Sequence, residues 1–462
     1  MANSTDKPDK WTDVFGSLTK VLPAALIHEV LQEFGKTGRK AKKLPPEVVT
    51  WLVIAMGVFR DLNISDCLAR VVEGLGTRWS RKRRPHTTSI SQARDRLGWL
   101  PVRELFRRLA RRLRDTYAEA TKWKGFLVYA LDGTTFAAPE TPANVHWFGL
   151  PPSSGSQSAF PRIRGLFLVG VWSHLVVEAA FGGYRSSELR LAEHLLDRLE
   201  KNSLVLLDRL FYGFGWAAFF VQRASPFVMR ARQGVSSAHL YKSRSLGEND
   251  WLCTMKKPHE RSKFGRHWIA PDEIVVRLVV CERKGFRPVL LITNLLDPKA
   301  YPAAEIAQLF RDRWEVELSF RELKVHLTQG RRVLRSRKPE RVLQELYGLL
   351  IAFNLVRSLM CVAAGEVGLR PIKLSFVECL HRVRWTLAAR THDAPIRVFK
   401  QLMDALRDCR LPPRRVGRTY VRAIKLQNTS RFPRKRSDRP IALNNAQIHA
   451  RKRLYVINAT DL

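Results

Sequence analysis

Two continuous apolar runs that each close on an aspartate constrain this chain more than any other feature. They are "FLVYALDG" at 126–133 and "SLVLLDRLFYG" at 203–213. A run with no polar alternation reads as a strand buried on both faces, as in the centre of a sheet covered by helices. The final aspartate of each run then emerges at the sheet edge. Between them, "GLFLVGVWS" and "LVVEAAFGG" read as two more strands joined by a tight turn near Ser173 and His174, and "SELRLAEHLLDRLEKNS" has helical periodicity. A helix at 215–224 and a strand "PFVMRAR" follow. The order of three strands, helix, strand, helix, strand predicts an α/β fold with a mixed sheet in which the first and fourth strands lie parallel.

The remaining segments frame that sheet. Residues 14–75 read as helices, with "PPEVVTWLVIAMGVFRDL" apolar almost all round and so buried. In the cation-rich stretch 78–114, Ser89 or Ser91 is placed to cap a helix, and the turn "LGWLP" leads into another. That layout suits DNA binding, and a solvated helical face would read the same way. From 233 to 288 the chain is polar and irregular, then β-rich. "RPVLLITNLLD" returns to a core strand, and "PAAEIAQLFRDRWEVELSFRELKVHL" reads as one long helix. A β-rich insertion therefore splits one α/β domain before its last helix. The expected domains are a helical, DNA-binding 1–125, a core in two parts at 126–232 and 289–380, the insertion at 233–288, and a basic C-terminal region at 381–462.

A balance of 80 Lys+Arg against 42 Asp+Glu gives a formal charge of +38, which points to a polyanionic partner, nucleic acid first. No membrane role is expected. The longest apolar stretches, such as 349–356, are short and interrupted, and the opening "MANSTDKPDKWTD" lacks the pattern of a secretory signal. Six scattered cysteines, without a CxxC pair, read as small buried hydrophobes rather than a disulfide or zinc framework.

The candidate chemistry lies in carboxylates. In "FRDRWEVELSFRELK" at 310–324, about 100° per helical residue puts Phe310, Arg313, Glu317 and Lys324 on one stripe, with Glu315 and Glu322 pointing elsewhere. Ordinary i,i+4 charge pairing would produce such a stripe too. Asp132 and Asp208 at the same end of neighbouring strands, with Glu317 brought across on a helix, are the donors that two hard divalent ions require. Two such ions roughly 4 Å apart can activate an attacking oxygen and stabilise a leaving one.

These residues resemble a known family. The spacing of Phe310, Arg313, Glu317 and Lys324 is similar to the Tyr-Arg-Glu-Lys signature of bacterial DDE transposases of the insertion element 4 family. "LDGTTF" at 131–136 and "LLDRLFYGF" at 206–214 resemble its two aspartate motifs, and the N-terminal part from "LTKVLPAALIHEVLQEFG" through "SISQARDRLG" its helical domain. The resemblance covers most of the chain. It implies a ribonuclease-H-like core in which Asp132, Asp208 and Glu317 are catalytic and bind two Mg²⁺ ions, with Mn²⁺ as a substitute. Arg313 and Lys324, with Phe310 and Arg209 beside them, would contact DNA. It also implies cleavage at the ends of an insertion sequence, strand transfer into target DNA, at least a homodimer in the synaptic complex, and a cytoplasmic, nucleoid-associated setting. Basic segments 78–114 and 414–439 would follow the DNA.

Two departures stand out. Phe310 replaces the signature tyrosine and removes a hydroxyl. Family members that cut through a hairpin carry a base-stacking tryptophan in the strand before the glutamate helix, and "RPVLLIT" has none; Trp251, Trp268 and Phe286 are the nearby aromatics. The competing functions are another Mg²⁺-dependent nuclease on this fold, which cuts without joining, and a non-catalytic DNA-binding protein from a decayed element.

Overall fold

A computed structural model describes residues 18, 21–37, 44–74, 85–152, 160–232, 240–258, 270–282, 288–388 and 395–413. The chain forms two compact units: residues before 200 together with 313–411, and residues 200–312. The basic segment 414–439, part of the stretch 78–84, Trp268 and Phe286 lie outside the described residues.

The chain enters the first unit as helices α1 (Ala24–Glu33), α2 (Pro46–Val58), α3 (Ile64–Gly74), α4 (Thr87–Leu97) and α5 (Leu100–Thr116). In α2, every residue from Val48 to Val58 is buried, as its nearly unbroken apolar composition demands. Helix α5 is one-sided: Val102, Leu105, Phe106, Leu109, Ala110 and Leu113 are buried, while Arg111 and Arg112 are exposed and its other arginines half-buried. The cap of α4 differs from expectation. Its N-cap is His86, whose ring accepts a hydrogen bond from the Thr88 amide, so Ser89 and Ser91 lie inside the helix. In the run Thr87-Thr88-Ser89 several residues could cap, and His86 takes the place one step earlier.

An antiparallel sheet follows, with β1 (Lys122–Trp123), β2 (Phe126–Ala137), then helix α6 (Pro142–Phe148), β3 (Arg162–Gly170) and β4 (Val176–Gly183), in the order β1-β2-β3-β4. The turn between β3 and β4 falls at Ser173 and His174, as read from sequence. Strand β2 does not end at Asp132. It runs five residues further, changing from fully buried to half-buried at that residue. Helix α7 (Glu188–Leu196) closes this part.

The second unit holds β5 (Ser203–Leu207), α8 (Phe214–Gln222) and β6 (Phe227–Arg230), with β5 and β6 parallel. An antiparallel ribbon continues it: β7 (Leu240–Gly247), β8 (Asp250–Lys256), β9 (Glu273–Cys281) and β10 (Val289–Thr293), with β10 lying between β6 and β9. A buried bidentate pair pins the ribbon, Arg277 donating to Asp250 at 2.8 and 2.6 Å. The same guanidinium donates to the carbonyls of Leu295 and Tyr301, fixing the segment that leads to helix α9 (Ala303–Asp312).

The segment expected to be one long helix is three pieces. Helix α9 stops at Asp312, and a turn at Arg313 and Trp314 precedes α10 (Glu315–Arg321), which passes into a π-helical turn at Glu322–Leu327. At the break, the amides of Val316 and Glu317 bond three residues back, to the carbonyls of Arg313 and Trp314, which tightens the chain locally. The first unit is completed by α11 (Pro339–Gly365), α12 (Phe376–Ala388) and α13 (Pro395–Arg407).

Helix α11 is its central strut. By length and composition it would suffice to cross a membrane, longer and more apolar than the stretch 349–356 suggested, yet 94% of its apolar window is buried within the protein. Several polar residues in its buried stretch have partners. Asn354, for example, accepts from the Val176 amide and donates to the Val176 carbonyl. Glycines set how closely α2 and α11 approach: a Cβ on Gly348 would stand 2.7 Å from the Val53 carbonyl oxygen, and one on Gly57 would stand 2.9 Å from the Ala352 Cβ.

Candidate active site

The period-two alternation of β2 puts Asp132, Thr134 and Phe136 on one face and Gly133 on the other. Opposite faces have separate tasks. A Cβ on Gly133 would lie 2.8 Å from the Glu188 carboxyl carbon, and Glu188 accepts from Arg164 at 3.0 Å. The glycine thus lets a charged pair pack under the strand, while the Asp132 face is left to the functional groups.

Asp132 is held at one oxygen, Oδ1, which accepts from the Gly133 amide at 2.8 Å. Its other oxygen lies 3.7 Å from the Arg313 guanidinium. Arg313 is 8% exposed and reaches a second carboxylate, Glu317, at 3.8 Å. One arginine therefore straddles two carboxylates, one from a strand and one from a helix. Glu317 is 45% exposed and Asp132 25%, so both oxygens open towards solvent. Lys324 stands over the same strand face: its ammonium donates to Thr134 Oγ1 at 2.8 Å and lies 5.9 Å from the centre of the Phe136 ring. Burial lowers the Lys324 pKa, and the neighbouring Arg162 charge lowers it further.

Of the residues singled out from sequence, Asp132, Arg313, Glu317 and Lys324 are gathered within the first unit. Asp208, Arg209 and Phe310 belong to the second. Asp208 follows directly on β5, and its Oδ1 accepts from the Leu210 amide at 2.5 Å, an Asx-type turn that leaves the carboxylate half-buried. Arg209 is exposed. Phe310 is only 8% exposed, on α9.

Sequence reasoning passed over a second group. Glu315 and Glu322, on the far side of the segment from Glu317, both face His174, and Glu322 also faces Arg357. The available signal was their spacing of seven residues, two helical turns, which puts them on a common face. Burial works to raise the Glu322 pKa, but Arg357 and His174 outweigh it and hold the carboxyl below its ordinary value.

Residues 12–107 match the family described as insertion element 4 transposase N-terminal, and residues 123–355, which contain Asp132, Asp208 and Glu317, match the transposase DDE domain. The chain is 32% identical over 420 residues to the transposase InsG for insertion sequence element IS4 of Escherichia coli K12, covering 88% of this chain and 91% of InsG. It is 30% identical over 204 residues to InsZ of the same organism, covering 41% of this chain and 62% of InsZ. Among solved structures, a piggyBac transposase synaptic complex with hairpin DNA aligns over 88% of this chain and 86% of its own, at 14% identity and a TM-score of 0.37.

A helical N-terminal region leading into a mixed sheet with flanking helices, with carboxylates and cations on one strand face, is the layout of a phosphoryl-transfer enzyme acting on a polyanion. The chain belongs to the insertion element 4 family of DDE transposases, enzymes that cleave DNA at the ends of an insertion sequence and transfer the freed strand into target DNA.

Proposed function

We propose that Asp132, Asp208 and Glu317 are the catalytic triad of a ribonuclease-H-like core and together hold two Mg²⁺ ions, with Mn²⁺ able to replace them. The observation that carries this reading is the Asp132–Arg313–Glu317 bridge. Two solvent-facing carboxylates share one guanidinium, an arrangement that provides hard oxygen donors of the type Mg²⁺ selects. Bound there, the ions would supply a deprotonated nucleophile near neutral pH and charge stabilisation at the reacting phosphate.

The chain's own residues do the rest. Arg313 would pair with a phosphate of the transposon end, and Lys324, anchored by Thr134, presents a second positive charge on the same strand face. Phosphate contacts of this type fix the register of DNA in a site. Arg209, next to Asp208, and Phe310 would add further DNA contacts. Water attacks first at the element end and releases a 3′-hydroxyl. That hydroxyl then attacks a target phosphate in the same site, since the two nucleophiles are interchangeable. DNA at the element ends and at the target is the partner, with at least a homodimer bringing two ends together in the bacterial cytoplasm on the nucleoid.

The test is cleavage of a plasmid carrying the element's own ends, with Mg²⁺ or with EDTA, comparing native protein with Glu317→Gln. Native protein should cut at the ends only with metal, and the variant should bind the ends without cutting. Equal cutting by both proteins would remove Glu317 from the triad.

A further inference from the structure

The cluster behind the Glu317 segment has no role in the reaction described so far, and its geometry suggests one. His174 is 2% exposed and sits in the β3–β4 turn with a φ of +57°, a left-handed conformation that few non-glycine residues adopt. Its Nδ1 is 3.0 Å from Glu322 Oε2, and its Nε2 is 3.7 Å from Glu315 Oε2. One imidazole therefore reaches two carboxylates on α10 and the π-helical turn that follows it. Arg357, fully buried on α11, lies 3.6 Å from the same Glu322 oxygen and donates through Nε to the Ser173 carbonyl at 3.0 Å.

Three elements meet here: the turn at the end of β3, the segment carrying Glu317 and Lys324, and the central helix. Strand β3 is also the hydrogen-bonded neighbour of β2, with Phe167 opposite Asp132. The cluster thus connects the sheet that carries Asp132 to the segment that carries Glu317. The charges are suited to that task. Two carboxylates meet one imidazole and one guanidinium. Buried ionic groups cost desolvation energy, and a group that gives no net stability has a reason to persist where it fixes one geometry. The π-helical turn begins at Glu322 itself, and such turns occur often at functional sites.

We propose that His174 is a positioning residue for transposition. By clasping Glu315 and Glu322 it sets the rotation and height of the segment that presents Glu317, and so the distance between Glu317 and Asp132. This inference rests on Glu317 being a metal ligand. Its consequence is specific: loss of the clasp loosens the metal site while leaving the fold and the grip on DNA in place. Removing a partner bonded directly to a metal ligand typically costs about 10- to 100-fold in metal affinity; His174 acts one step further out, on the residues flanking Glu317, so the lower end of that range is expected.

The experiment uses full-length protein bound to its own element-end DNA, with Mn²⁺ as the probe and free Mn²⁺ followed by electron paramagnetic resonance. Cleavage is measured against Mn²⁺ concentration in parallel, and end-DNA affinity and thermal melting are controls. His174→Ala is expected to bind end DNA as the native protein does. It should need about tenfold more Mn²⁺ for both occupancy and half-maximal cleavage, and recover most of the cleavage rate when Mn²⁺ saturates. His174→Asn keeps a donor near the Nδ1 position and tolerates the left-handed backbone, so its requirement should fall between the two. A role confined to stability would lower the melting temperature and the active fraction without moving the Mn²⁺ midpoint.

Native Mn²⁺ midpoints in His174→Ala, or in His174→Asn if the alanine variant does not fold, would overturn the proposal. Glu317→Gln separates the two readings. If that variant binds Mn²⁺ as tightly as the native protein, the assignment of Glu317 fails. If it loses Mn²⁺ while the His174 variants do not, the assignment stands and the positioning role alone is wrong.

Discussion

Replacing Glu345 with glutamine should destabilise the first unit by several kcal/mol, although the two side chains have the same shape. Glu345 is 2% exposed on α11 and accepts from Arg60 Nη1 at 2.5 Å, from the Arg335 amide at 3.1 Å, and from the Ser336 amide and hydroxyl at 3.0 and 2.6 Å. Every neighbour is a donor. Whichever way a glutamine amide turns, its NH₂ faces donors, and Arg60, itself 1% exposed, loses its counter-charge. Breaking a buried pair from one side costs about 3–5 kcal/mol. The native state of a domain is typically worth only about 5–15 kcal/mol, so the loss is a large share. For a unit of this size it should lower the melting temperature by about 5–10 °C. The effect reaches the active site: the loop that Glu345 holds pairs with the end of the Asp132 strand, where the Leu334 amide donates to the Ala137 carbonyl at 2.8 Å. The acid form of the native protein checks the same group. Burial alone would raise the Glu345 pKa, but Arg60, Arg94 and the Ser336 and Arg335 donors hold it below 4.5. A depressed carboxylate contributes stability fully above its unfolded pKa and loses it as pH falls through its folded value. Native protein should therefore weaken as pH drops below about 4.5, and Glu345→Gln should lose less over that window. Thermal and urea melts at pH 7 and pH 4 measure both effects. A variant that melts within a degree of native protein at pH 7 would refute the argument.

Three further outcomes follow from the same geometry. Gly348→Ala should lower the urea midpoint: the helix-propensity gain of about 1 kcal/mol is outweighed by overpacking of about 1–3 kcal/mol against the Val53 backbone, which cannot move aside like a flexible side chain. A raised midpoint would show that α2 and α11 can separate at no cost. Thr134→Val removes the hydroxyl that anchors Lys324 and should weaken end-DNA binding about fivefold in a mobility-shift titration, as expected for one hydrogen bond worth about 1 kcal/mol. Unchanged binding would mean that Lys324 positions itself. With a formal charge of +38, affinity for DNA should fall steeply and linearly on a logarithmic salt axis. A flat dependence would remove phosphate contacts as the source of binding.

The legible parts of the fold are those whose signal is local. The run 203–207 is a strand with Asp208 directly after it, because five consecutive apolar residues are buried on both faces. The run at 126 was legible too, but its end was not. The aspartate reads as the strand's last residue, whereas Thr134 and Phe136 continue the alternation of a half-buried strand, and Gly133 makes room for Glu188. Residues Asn354 and Arg357 seemed to interrupt the apolar stretch near 349–356. Both are fully buried, with partners on the sheet that sequence spacing cannot reveal. The break at Arg313 and Trp314 has neither glycine nor proline to announce it. Lys324 and Thr134 were read from separate motifs, and only the fold joins them.

The three glutamates of the segment 310–324 are explained by its two sides. Glu317 faces outward at 45% exposure, with Arg313 as its partner, on a side open to solvent. Glu315 and Glu322 face inward, both onto His174 and Glu322 also onto Arg357, where solvent is largely excluded. The inward pair is therefore tied to the β3–β4 turn through His174 and to α11 through Arg357, and on the proposed reading the outward acid is the one that holds metal. A substitution on the inward side should be read first in the metal requirement of the outward one.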